Sequence, residues 1–441
     1  MSDQLREQLL SSLNGITIID PHTHVDADHL SARGLHDIFL YHMVISELYS
    51  SGCPDGARLS ENPSEEEVEF RIERALPYVK NIRNTSCFWG VRLILKHLYD
   101  WDKPLTKENW REIHHIIKEK SKAPGRPEEI MKKAGISKLC TELWRRKAGN
   151  ADHLLSYSLE WAFFGRCQWD QFDTALLELE NTWDKTEPGT PLPVNIEEGG
   201  VKIAKRVRTI EDVHEAIKHY CSLIPFGDII NVAQWLSTDM DQRLVSEEEM
   251  RGALLKRETA GPLERDIYAS YIFEYFLTEV EKRNKHTVIN IGIGAEPLPF
   301  ETGSKLKTDT IFDIARVAQR HPNISFYIFL ASEQHNQAFC SVIRETPNLY
   351  ISGYWWHCFF PGFIGRTIEE RLDMLPLNKQ IGFFSDAYCL DWAFAKATIV
   401  RTQLAGVLEK KVVSGQYSVD EALDVAAEIL NGTAGNGLGM L

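Results

Sequence analysis

Hydrophobic positions in the second half of the chain fall into short, nearly continuous runs: 287–294 (TVINIGIG), 325–330 (SFYIFL), 348–354 (NLYISGY) and 380–385 (QIGFFS). Between them, apolar residues recur at helical spacing over 310–320, around 334–345 and near 367–375, and then over 392–411 and 418–430. Strands that are apolar on both faces and alternate with helices of about ten residues predict a parallel sheet with helices outside it. The first half is less regular. Residues 16–20 (ITIID) read as a first strand running straight into Pro21-His22-Thr23-His24, and 137–141, 201–207 and 228–235 are further strand candidates. Residues 30–135 read as mostly helical, with breaks at Pro54, Pro63, Pro104 and Pro124; 185–200, rich in Pro, Gly and Glu, reads as a loop. Neither an internal repeat nor a low-complexity linker divides the chain. The pattern predicts an α/β fold, a (β/α)8 TIM-type barrel forming a single domain over 1–441, with a mostly helical insertion at about 30–135.

Composition narrows the class. A hydrophobic fraction of 43% with 25% charged residues is that of a globular chain rather than a disordered one. A net charge of −14 argues against nucleic-acid and anionic-membrane partners, which call for basic patches. The N-terminal MSDQLREQLLSSLNG lacks the apolar core of a secretory signal, and no run is long enough to span a bilayer. The eight cysteines are scattered without a C-x-x-C pair, as expected for reduced thiols in a cytoplasmic protein.

The chemical signal is the pair His22 and His24. With 15 histidines, chance alone supplies about 0.5 such pairs, so the pattern by itself is weak. Its place raises its value: residues i and i+2 of a strand share a face, so two imidazoles leaving a strand end can hold one divalent ion. Asp386, after the last apolar run, is the expected third ligand, because the last strand of a closed barrel lies beside the first. The bland alternatives are two polar loop histidines and a helix cap at Asp386, although Asp391 is better placed to cap the helix from Trp392.

These residues resemble the uronate isomerases, a branch of the amidohydrolase superfamily. The sharp matches are Asp20-Pro-His-Thr-His-Val25, Gly353-Tyr-Trp-Trp356 and Phe384-Ser-Asp386; weaker similarity covers Tyr41-His42 to Gly52 and the closing helices. The resemblance implies one divalent ion, commonly zinc (with Mn, Fe or Ni as alternatives), held by His22, His24 and Asp386. It implies aldose–ketose interconversion of a hexuronate such as glucuronate, by moving a proton between C2 and C1. The chain departs from the family pattern at several places. Met43 replaces a tyrosine after His42, Tyr388 stands where the family has an arginine, Asn290 stands where it has a histidine, and Trp356 is followed by His357-Cys358 rather than Phe-Asn-Asp. The metal-binding core is thus retained while the substrate-reading shell is rewritten.

Around that core the candidates are as follows. His42 is the acid/base or a substrate donor, and Tyr388 supplies the hydroxyl that Met43 lacks. Arg33 is a replacement cation for the lost arginine. Asn290, Trp355, Trp356, His357 and His335 are substrate contacts. His29, His114 and His115 read as surface residues. The expected partner is a small sugar acid or related carbohydrate, with a homo-oligomer left open. Two other functions share the same cleft: a metal-dependent hydrolase of an ester, lactone or amide, and a non-catalytic carbohydrate-binding descendant.

Overall fold

The computed structural model describes residues 2–146, 151–160, 172–183, 205–223, 229–233, 243–283, 287–293, 308–331, 333–355 and 359–439. Its strands are β1 (Ile18–Asp20), β2 (Ile136–Glu142), β3 (Leu155–Glu160), β4 (Ile229–Ala233), β5 (Thr287–Ile293), β6 (Ile324–Leu330), β7 (Leu349–Ser352) and β8 (Gln380–Ile381). They form one sheet in which spatial order equals sequence order and every neighbouring pair is parallel. Every residue of β5 and β6 is buried, which is why these strands read as unbroken apolar runs.

Helix α1 (Ser2–Leu13) precedes β1. Between β1 and β2 come α2 (Leu35–Phe39), α3 (His42–Ser50), α4 (Glu65–Ala75), α5 (Val79–Ile82), α6 (Ser86–Tyr99), α7 (Trp110–Ser121) and α8 (Arg126–Ala134). The start of α4 shows local sequence at work. Ser64 caps it by accepting the Glu67 N–H, and Glu65, Glu66 and Glu67 fill the first turn, where the helix dipole favours acids. Helices α9 (Phe172–Trp183) and α10 (Ile210–Leu223) lie between β3 and β4; α11 (Glu247–Leu255) and α12 (Pro262–Glu281) lie between β4 and β5. The three connections that follow carry α13 (Thr308–Arg320), α14 (Asn336–Ile343) and α15 (Pro361–Met374), and α16 (Leu390–Val413), α17 (Val419–Ala427) and α18 (Thr433–Leu438) close the chain.

Helix α16 organises the N-terminal side of the molecule. It packs on α1, α6, α8, α15 and α17 and is buried over most of its circumference from Leu390 to Leu408, apart from a partly exposed stripe at Thr398, Thr402, Gln403 and Gly406. Three cations are buried on it, Lys396, Arg401 and Lys411. Arg401 donates to the carbonyls of Ile16 (2.8 Å), Gly135 (3.2 Å) and Ala134, tying the entry of β1 to the end of α8. Lys396 points toward the strand ends and belongs to the site below.

The two edge strands are joined through the segments that follow them. Ser385 N–H donates to Asp20 Oδ1 (3.0 Å), Asp386 N–H to His22 O (3.0 Å) and His24 N–H to Ala387 O (2.8 Å). Buried residues of β1, β2, β5, β6 and β8 (Ile19, Cys140, Val288, Tyr327 and Ile381) also meet in one cluster, closed by Ala434 and Leu438 of α18.

Three sequence expectations change. The strand expected at 201–207 is absent over 205–207, and 201–204 lie outside the described residues, as do 185–200. The third strand is instead Leu155–Glu160, whose Ser156 and Ser158 break the apolar run; Ser158 Oγ is turned onto the Thr141 carbonyl of β2 (3.4 Å). Asp391 is no helix cap, since Cys389 holds that position without a side-chain bond. Asp391 lies buried in the first turn of α16, accepting the Ala32 N–H (2.8 Å) and the Tyr99 hydroxyl (2.6 Å). The six described cysteines are free and buried, and no described helix is long and apolar enough to cross a membrane.

Candidate metal centre

Just beyond β1 the extended chain sends alternate side chains to opposite sides. Thr23 is buried against β2, its N–H and hydroxyl both donating to the Cys140 carbonyl (2.8 and 3.0 Å). His22 and His24 face the other way and meet Asp386. His24 Nε2 lies 3.2 Å and His22 Nε2 3.5 Å from Asp386 Oδ1, and one ligand atom from each of the three falls within 4.8 Å of the others. Two ligands about 2.1 Å from a tetrahedral ion are about 3.4 Å apart, so these spacings suit one divalent cation.

The surroundings fit a metal as well. The Nδ1 of His24 is bound by Glu142 Oε1 at the end of β2, which leaves Nε2 directed at Asp386. A carboxylate behind a ligand imidazole fixes its tautomer and raises its basicity. Burial alone would raise the Glu142 carboxyl, but the charge and hydrogen bond of His24, with Arg145 (Nε to Oε2, 2.8 Å), bring it down to about 2. Asp386 is equally buried, yet its bonds to His22 and His24 hold its carboxyl well below the usual carboxylate range. Burial pushes Asp20 up to about 7, against hydrogen bonds from Ser385 and His22, and its Oδ2 is unpartnered. Asp386 also has φ 51°, a left-handed backbone that few side-chain-bearing residues adopt.

A cleft of about 490 Å3 opens beside the three residues. His24, Arg33, His42 and Tyr388 line it, together with Tyr41, Arg58 and Arg145. The Tyr388 ring lies 4.9 Å from His24 and 5.4 Å from His42, and its hydroxyl is 3.5 Å from Arg58 Nη1. Burial first, and then the Arg58 charge, hold the His42 imidazole well below its ordinary pKa and therefore neutral. Arg33 is engaged by neighbours: Nε and Nη2 donate to Asp37 (both 2.9 Å) and Nη1 to the Glu61 carbonyl (2.7 Å).

The other sequence candidates scatter. Trp355 is buried with Phe329, Ala331 and Phe384, and the rings of Phe329 and Phe384 lie 5.0 and 5.6 Å from His22, so Trp355 belongs to the apolar floor under the first histidine. Asn290, buried on β5 opposite Asn231 and Tyr327, and His335, in the turn before α14, are not among the described residues lining the cleft. Trp356 and His357 lie outside the described residues. Of the histidines read as surface, His29 lines the cleft, and His114 is buried, accepting the Leu35 N–H (3.3 Å). Sequence reasoning missed Glu142, Tyr41, Arg58, Arg145 and Lys396. Glu142 carried a signal, as an acid following a candidate strand, where barrel active sites are built, and Tyr41 stood beside His42 in the weaker family similarity.

No family model matches the chain. It is similar to a uronate isomerase of Thermotoga neapolitana, 19% identical across 97% of this chain and 96% of that protein. Among solved structures it resembles the glucuronate isomerase of Caulobacter crescentus (TM-score 0.77, 13% identity, 100% of this chain and 94% of that one). It also resembles a uronate isomerase of Thermotoga maritima (TM-score 0.76, 13% identity, 99% and 97%). With nearly the full length of each chain aligned, this chain is a distant homologue of that Thermotoga neapolitana enzyme and shares the α/β fold of the two solved structures.

Proposed function

We propose that the chain is a metal-dependent isomerase that interconverts aldose and ketose forms of a hexuronate or a related sugar acid. The observation that carries this reading is the convergence of His22, His24 and Asp386 in a chain aligned end to end with a uronate isomerase. The proposal takes the sheet as a closed (β/α)8 barrel in one domain, with α2 to α8 as its helical insertion. The hydrogen bonds between 385–387 and 20–24, two of them backbone to backbone and one to the Asp20 carboxylate, and the cluster shared by β1 and β8 support closure. The six buried thiols suit a reducing, cytoplasmic setting.

His22, His24 and Asp386 would hold the ion, zinc being the first choice for two imidazoles and a carboxylate, and when bound it would polarise the sugar carbonyl and the adjacent hydroxyl. Glu142 keeps the Nδ1 proton of His24, so that Nε2 presents its lone pair. A ring nitrogen of neutral His42 takes the proton from the hydroxyl-bearing carbon beside the carbonyl and delivers it to the former carbonyl carbon, while the hydroxyl proton passes to the former carbonyl oxygen. Tyr388 offers its hydroxyl between His24, His42 and Arg58. Arg58, beside the side chain that stands where the resembling family has an arginine, faces the substrate carboxylate, and Arg33 borders the same cleft.

The test is NMR of glucuronate and galacturonate with the enzyme in deuterated water. Formation of the ketose with deuterium entering next to the carbonyl is the expected result. No ketose and no exchange would remove hexuronate isomerisation, and turnover of lactones or esters in its place would make the chain a hydrolase.

A further inference from the structure

We infer that Lys396 is a positioning residue for Asp386: its buried ammonium and the Tyr41 hydroxyl clamp the backbone of residues 385–386 and so set where the Asp386 carboxylate meets the two histidines. The inference rests on reading the three residues as a metal centre, and it is independent of which sugar acid is the substrate.

Among the described residues, Asp386 and Asp100 are the non-glycine residues with positive φ. Asp100 ends α6, an ordinary place for a left-handed residue. Asp386 ends no helix, and such a conformation persists only where the surroundings over-determine it. On one side the backbone bond to His22 O holds the segment. On the other, the Tyr41 hydroxyl donates to Asp386 O (2.9 Å), and Lys396 Nζ lies 3.5 Å from that same oxygen while bonded to the carbonyl of Ser385. The two donors brace each other, with Lys396 Nζ 3.1 Å from the Tyr41 oxygen. Tyr41 in turn stacks on Trp392 of α16, one helical turn before Lys396, with ring centroids 4.6 Å apart.

The chemistry of Lys396 points the same way. It is fully buried in an otherwise apolar stretch of α16, over the ring of Phe359 at 4.3 Å. A buried ammonium is costly unless its donors are satisfied, and a hydrophobic residue would fill this space more cheaply. Among the described residues its hydrogen-bond partners are two successive backbone carbonyls and a hydroxyl, with no carboxylate among them. What this lysine does that a methionine cannot is donate to the carbonyls of the two peptide units that flank Asp386.

The experiment is chelator competition on zinc-loaded wild type, K396M and Y41F, with far-UV circular dichroism and thermal unfolding alongside. Cobalt(II)-loaded samples supply the visible absorption spectrum. Folded K396M is expected to hold zinc about 10–100-fold more weakly and to shift the cobalt spectrum, as loss of an outer-shell partner does, with a smaller weakening in Y41F. Should K396M fail to fold, Y41F decides. Wild-type affinity and an unchanged cobalt spectrum in Y41F and in any folded K396M would overturn the role of Lys396 alone. A wild type that holds no zinc would overturn the metal centre and this inference together. Absence of hexuronate turnover, with zinc binding intact, bears on the proposed reaction only.

Discussion

The Nδ1 of His24 is bound by Oε1 of Glu142, a residue 118 positions further along the chain, so one imidazole is fixed by the ends of two neighbouring strands. Glu142 is itself held by Arg145 and buried, which makes it an anchor rather than a mobile surface acid. Replacing it with glutamine keeps the shape but removes the charge behind the ligand. We expect E142Q to weaken zinc binding about 10–100-fold with little change in melting temperature, measured by chelator competition and calorimetry.

Removal of a ligand should be more drastic. H22A and D386A are each expected to purify with less than a tenth of the wild-type metal content by elemental analysis, and to lose isomerase activity. Asp386 is the more informative of the two, because its oxygen is the atom both histidines approach.

Arg58 should set affinity for the acid group. R58Q leaves the ion ligands untouched and removes a charged donor worth about 1.5–3 kcal/mol, so KM for a hexuronate should rise about tenfold or more. Binding of the matching neutral sugar should change little. Equal losses for acid and neutral sugar in a steady-state comparison would reject the assignment.

Gly353 lies at φ 57° directly after β7, and a Cβ there would stand 1.9 Å from Phe384 Cδ1. Phe384 is fully buried and packs on His22 and Phe329, so it has nowhere to retreat. G353A combines overpacking with a left-handed backbone. A loss of about 3 kcal/mol in urea unfolding is expected, with weakened metal binding through the displaced Phe384 ring.

A pH effect is expected far from the cleft, between α12 and α13. His321 Nδ1 is 2.9 Å from Glu281 Oε2, and its Nε2 is 3.3 Å from Glu274 Oε1. Burial would lower the imidazole, but these carboxylates raise it above its ordinary value of 6.5. A raised histidine stabilises the fold fully below its unfolded pKa and loses that contribution as pH rises through the folded one. The stability gap between wild type and H321Q should therefore be widest below about pH 6.5 and narrow toward alkaline pH in parallel melts.

The sequence made legible whatever depends on repeated local pattern. Strands β5 and β6 announced themselves because both faces are buried, whereas β3 did not, because its serines serve hydrogen bonds to β2. His22, His24 and Asp386 could be found because two are close in sequence and the third directly follows the last apolar run. Lys396 could not: a lysine in an apolar helix carries no local sign of the carbonyl it will meet. Arg33 looked available because only folding brings Asp37 and the Glu61 carbonyl onto its donors. Trp355 looked like a wall of the cleft, and its packing with Phe329 and Phe384 was hidden for the same reason.

The bonds between residues 20–24 and 385–387 also have a consequence in time. The two histidines proposed to hold the ion are synthesised long before their partner carboxylate and the helix that braces it. Every nascent intermediate before Lys396 therefore exposes a pair of imidazoles without a completed cage. Tight zinc retention would then report the docking of α16 onto the strand ends, and a pulse of metal during translation should be captured only after that helix has docked.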